Sequence, residues 1–177
     1  MPESSTGAAG VEALAAAIAL PTPAPAAGAA LGAVSALAAA LVEKACALTA
    51  DDALVVEGSV AAEMRDSALE FAELDEHAFG GIAYARSVHG DVAAAWAEAA
   101  RVPLELADGC ATLIELATGI AELVNPNLRG EVDAAITLSR AAGLAAARLA
   151  EIDLTAAGPT YVEDRERLAA VRTLLAR

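Results

Sequence analysis

Proton chemistry in this chain has few possible carriers: a run of carboxylates and two histidines, His77 and His89. Asp75 and His77 flank Glu76, and Glu73 stands four residues before His77. Histidine titrates near neutral pH, and a carboxylate beside it can exchange its proton. Asp75 and His77 are therefore the candidate acid and base. Further on, Asn125-Pro126-Asn127 makes a turn that leads into Arg129, Glu131 and Asp133. A helix beginning near Gly130 would present free N–H groups and a positive dipole end there. Glu131 is the third catalytic candidate, suited to orienting a substrate or stabilising cationic charge, with Asn125 and Asn127 as binding groups.

A second polar corner forms around Pro21, Pro23 and Pro25, which alternate with Thr22 and Ala24. Proline fixes φ and removes a donor, so this is a stiff, extended loop, and Pro25 sits where a helix can start. Thr22, Pro23, Gly28 and Ser35 are the candidate substrate-binding residues on the loop and the helix after it. Gly28, Gly32, Ala36 and Ala40 fall four residues apart on one line of that helix, a seam of small side chains that lets another backbone approach closely.

Other chemistries find no support. There is no Gly-x-Ser-x-Gly, no cysteine with a histidine neighbour and no phosphate-cradling glycine loop. No metal site is expected: Glu73 and His77 are permissively spaced, but no Glu-x-x-His pair and no second histidine-bearing helix accompany them. Cys46 and Cys110 are isolated and read as buried thiols of a reducing compartment. From Asp51 to Glu76 the chain has nine acids and one basic residue, Arg65. Glu63, Asp66, Glu70 and Glu73 share a helix face there, which is either a solvated surface or a lip that attracts a cation.

The elements that must position these residues follow from composition. Of 177 residues, alanine makes up more than a quarter, and aromatics are 3%. Alanine is the best helix former, so the fold class is all-α. Helices are predicted over 11–20, 26–50, 53–88, 92–124, 130–154 and 161–177, after a disordered tail at 1–10. Asp51-Asp52 is placed to cap the third helix. Gly80-Gly81 is expected to interrupt or kink that helix, and Pro103 to kink or divide the fourth. Long helices with short connections imply one domain over 11–177, an up-and-down antiparallel bundle.

The net charge is −14, with one lysine and ten arginines. That excludes a basic footprint for nucleic acid or for an anionic membrane. Leu20 to Val42 is long enough to span a bilayer, yet its prolines, glycines and alanines read as a buried core helix. The start of the chain does not read as a signal peptide, and a cytoplasmic protein is expected.

Several segments, in order, resemble the cyclodeaminase domain of formiminotransferase-cyclodeaminase and the related methenyltetrahydrofolate cyclohydrolases. Pro21-Thr22-Pro23-Ala24-Pro25 is similar to the family's loop before its first core helix. Ser35-Ala36-Leu37 and Ala40-Leu41-Val42, ending at Leu48-Thr49, resemble its small-residue helix. Asp75 to Phe79 follows an Asp-x-x-Ala-Phe pattern, Val102-Pro103-Leu104-Glu105-Leu106-Ala107 a Val-Pro-Leu-x-Leu-Ala pattern, and Asn125-Pro126-Asn127 an Asn-Pro-Asn turn. The resemblance covers about residues 10–155. It implies an all-α homodimer with a folate cleft near the dimer interface, a tetrahydrofolate-linked small molecule, and opening or closing of the folate methenyl bridge by proton transfer.

The departures from that pattern run toward acid. Ala26, Ala27, Gly28 and Ala29 stand where the family has Gly-Gly-Gly-Ser, and Asp51-Asp52 where it has Gly-Lys. Gly130-Glu131 replaces Ser-Asp, and the family's Asn-Val-x-x-Asn-Leu becomes Leu149 to Leu154, ending in Asp153-Leu154. The leading reading is a repurposed enzyme on this scaffold. It would form, cyclise or deaminate imine or iminium groups of a cationic or amine-bearing small molecule, because carboxylates stabilise developing positive charge. Folate cyclodeaminase or cyclohydrolase activity is the first alternative. A non-catalytic helical dimer that acts as a binding module is the second.

Overall fold

The computed structural model describes residues 6–22, 24–49 and 53–177. The described residues form six α-helices: α1 (Thr6–Ile18), α2 (Ala27–Ala47), α3 (Val55–Ser87), α4 (Val92–Ile120), α5 (Arg129–Ala157) and α6 (Val162–Leu175). A short 3₁₀ turn, Pro126–Leu128, joins α4 to α5. Pro23, Asp51 and Asp52 lie outside the described residues. There is no strand among the described residues, and the fold is the all-α bundle that the composition predicts.

The four long helices form a ring. α2 lies along α3, α3 along α4, α4 along α5, and α5 returns to α2, while α6 covers α4 and α5. The start of α3 meets the end of α2, where Gly58 faces Cys46, so these two run antiparallel. The start of α5 also meets the end of α2, where Lys44 pairs with Glu131. α1 stands apart. None of its residues from Ala9 onward is buried, and it packs lightly against α2.

The interior is built from small residues. Ala38, Ala39, Ala45, Ala100, Ala107 and Ala146 are all at most 1% exposed. Alanine contributes little area per residue, so stability depends on how closely the helices approach. The glycine seam supplies that approach. A Cβ added at Gly32 would stand 2.6 Å from the carbonyl oxygen of Ala68 on α3. α2 is long and apolar enough to cross a membrane, but half of its apolar window is buried inside the bundle.

Four boundaries differ from the sequence expectation. The first helix starts at Thr6, inside the stretch read as a tail. α3 continues through Gly80-Gly81, because Ile82, 1% exposed, anchors its last turns and offsets the helix-propensity loss. α4 runs unbroken through Pro103, whose ring is fully buried, so apolar packing compensates for the missing hydrogen bond to Ala99. α5 continues to Ala157 and stops at Gly158, whose φ of 95° favours glycine. Arg165 of α6 donates to the Gly158 carbonyl at 2.9 Å and also to that of Leu154, which fixes α6 to this helix end.

Candidate active site

The strongest chemistry lies at the end of the bundle where α2 begins. Asp75 of α3 is partly buried and faces the first turn of α2. It fits there because residue 28 is glycine. A Cβ at that position would come 2.6 Å from the Asp75 Cγ and 2.9 Å from its Cβ. No side chain caps α2 at Ala26, so the free N–H groups of that turn leave a positive dipole end beside the carboxylate.

A second carboxylate joins it. Asp153, near the end of α5, is also partly buried. Its carboxyl is pushed from 3.8 up to about 6, first by burial and then by the charge on Asp75. Burial also raises Asp75. The negative charge of Asp75 helps to hold a proton on Asp153. Among the described residues no cation offsets either carboxylate. Two carboxyl groups with separated proton affinities can act as a proton donor beside a fixed negative charge.

The sequence-derived candidates fall into three places. Gly28, Thr22 and Asp75 share this end of the bundle. The Thr22 hydroxyl is engaged within its own loop, where it donates to the Ala24 carbonyl at 2.9 Å. Ser35 is two turns deeper on α2. It is 5% exposed, with its Oγ 3.4 Å from the Sγ of Cys110 on α4, as an interhelical contact.

Glu131, Asn125 and Asn127 are at the opposite end. Glu131 and Asp153 sit about 33 Å apart along α5, at 1.5 Å per residue. Lys44 donates to Glu131 at 3.1 Å and holds its carboxyl below the usual range. The Asn125 N–H donates to Thr49, and the Asn125 side chain accepts from the Asn127 N–H at 3.0 Å. These groups build the α4–α5 corner and do not meet Asp75.

His77 is the third case. Two residues beyond Asp75 is about 200° around a helix, so His77 points outward. It is exposed, in a shallow trough with Glu73, Glu76, Gly80 and Tyr84. The two acid and base candidates, Asp75 and His77, therefore lie on different sides of α3. The titratable group close enough to feel the Asp75 charge is Asp153. Its signal in the sequence was an acid directly before the apolar Leu154, where the resembled family carries asparagine.

These features define a helical bundle of the cyclodeaminase class, with its carboxylate pair at the mouth of the central helix. A family model described as formiminotransferase-cyclodeaminase matches residues 10–172, and the chain belongs to this family. A similar solved structure is formiminotetrahydrofolate cyclodeaminase from Thermotoga maritima, at a TM-score of 0.72 and 22% identity. That match covers 90% of this chain and 86% of the other. No curated protein matches.

Proposed function

We propose that this protein catalyses cyclodeaminase-type chemistry on a folate-linked one-carbon group, with Asp153 as the proton-transfer group and Asp75 as its electrostatic partner. The observation that carries this reading is the Asp75–Asp153 pair, and membership of the family supports it.

The chemistry suits two carboxylates. A formimino group is an amidine, and protonating its terminal nitrogen gives an amidinium. Asp153 supplies that proton. A neighbouring secondary amine of the substrate then adds its lone pair to the amidinium carbon and passes its proton to the Asp153 carboxylate. Asp153 returns the proton to the terminal amino group, which leaves as ammonia and carries away the C–N bonding electrons. The product is a cyclic amidinium, the methenyl bridge, and Asp153 is reprotonated from solvent. Asp75 stays ionised and stabilises positive charge at the carbon throughout. No covalent intermediate with the enzyme is needed.

One observation favours a second reading, an amine- or imine-bearing cation other than a folate. Among the described residues the pair has no cationic neighbour that would hold a substrate carboxylate, and Ala26 and Ala27 stand where the resembled family has glycines. Both readings share Asp75 and Asp153. We place the enzyme in the cytoplasm as a homodimer on the family resemblance.

The test is turnover of 5-formiminotetrahydrofolate, followed by ammonia release. Asp153→Asn and Asp75→Asn should each reduce the rate by roughly 10²–10⁴, the usual contribution of a positioned acid or base. Unchanged rates in both variants would sink the assignment. No turnover, and no rise in melting temperature with a reduced folate, would favour the second reading.

A further inference from the structure

A groove between α3 and α4, floored by α2, has a cavity volume of 560 Å³. That is within the range of small-molecule sites, roughly 300–1,000 Å³. Neither Asp75 nor Asp153 lines it, so it is not the carboxylate pair's site. Its walls are apolar, with Met64, Phe71 and Leu74 from α3 and Val102, Leu106 and Leu113 from α4. Ser35 and Cys110, already in contact with each other, lie at its floor.

The rim carries charge of one sign. Glu63 and Glu70 stand two helical turns apart on α3, and Glu105 faces them from α4. All three are exposed. Among the described residues none of them has an ion-pair partner, whereas Glu43, Glu98, Glu122, Glu131 and Glu151 each have one. No lysine, arginine or histidine lines the groove. An apolar trough with unpaired carboxylates on both lips complements a molecule with an apolar body and a cationic head. α1 of a second copy would be a poor occupant. It is apolar but carries one acid, Glu12, and no cation to meet the rim.

We propose that this groove is a second ligand site, one that binds an amphiphilic ammonium compound with its apolar body between α3 and α4 and its charge among Glu63, Glu70 and Glu105. The site is independent of the Asp75–Asp153 chemistry, and either can fail without the other.

Titration calorimetry with 4-phenylbutylamine tests this, with 4-phenyl-1-butanol and 4-phenylbutyrate as neutral and anionic counterparts of the same body. The amine should bind at least about tenfold more tightly than either, a difference of about 1.4 kcal/mol. Added salt should reduce that advantage. Glu70→Gln with Glu105→Gln should remove most of it without disturbing the fold, because neither side chain has a partner to lose. Gly109→Leu should abolish binding. Gly109 lines the groove, and a Cβ there meets nothing within 4 Å, so the side chain can fill the space from an intact helix. Equal binding of the three compounds would overturn the proposal. So would binding that survives Gly109→Leu, or absence of amine binding at millimolar concentration. If the native protein sediments as a dimer that Gly109→Leu breaks while the amine does not bind, a second copy fills the groove and the proposal fails.

Discussion

Gly28 and Asp75 are in such close contact that the first turn of α2 and the carboxylate of α3 form a single packing unit. No other residue type fits at position 28 without moving Asp75. The glycine is thus a positioning residue for the carboxylate.

Gly28→Ala should therefore destabilise the protein despite alanine's better helix propensity. Overpacking costs typically 1–3 kcal/mol, against a gain of about 1 kcal/mol from propensity. Combining it with Asp75→Ala removes the clashing Cγ and Oδ2, so the two effects should not add. Chemical denaturation of the four-member cycle measures this. Additive losses would show that the contact is not strained by the methyl group.

The opposite sign is expected at Gly80 and Gly81. Both lie inside α3, and a Cβ at either meets nothing within 4 Å. Alanine at each should raise stability by about 1 kcal/mol through helix propensity and the unfolded chain's lost freedom. A higher denaturation midpoint in the double variant would confirm it.

Asp153 makes stability depend on pH with a defined sign. Its folded value, about 6, lies above its ordinary 3.8. Between those values the folded state holds more protons than the unfolded one. Asp153 therefore contributes more stability at low pH and loses it as pH rises from about 4 through 6. Asp153→Asn should gain melting temperature relative to the parent over that window and hold the gain above it. A constant difference between the two proteins across the window would contradict the raised value.

Glu151 should behave in the reverse way. Arg172 donates to both of its carboxylate oxygens at 2.9 Å, Arg148 also pairs with it, and together they draw it down to about 2. The contribution is present above its ordinary 4.5 and is lost as pH falls toward 2. Glu151→Gln should lower the melting temperature near neutral pH, and the difference should shrink in acid as α6 loses its tie to α5.

Glu131→Gln and His77→Ala should leave turnover unchanged. Glu131 is at the far end of α5, and His77 faces outward. A rate loss in either variant, with Asp75 intact, would move the active site away from the carboxylate pair.

The architecture was readable because its determinants are local. Alanine content, turn residues and four-residue glycine spacing each act over a few positions, and they located the ends of α2 to α6 to within four residues. The site was less readable because it depends on register between distant helices. Asp75 and His77 are neighbours in the chain, but helix geometry turns them to opposite faces. Asp75 and Asp153 are far apart in the chain, and α3 and α5, each antiparallel to α2, carry them to the same end of the bundle. The Asn125–Glu131 corner has the right residue types for a binding site, but it uses them to close a loop. Gly80-Gly81 and Pro103 leave their helices uninterrupted for a related reason: local rules assign them a cost, and tertiary burial of Ile82 and the Pro103 ring offsets it.

Lys44 is the chain's one lysine, and it lies half exposed at the end of the bundle opposite Asp75 and Asp153. Both cysteines are buried. An amine-directed fluorophore or surface linker would therefore attach to the folded bundle at a single side-chain address. The protein can be tethered or made luminescent with its carboxylate pair left facing solution.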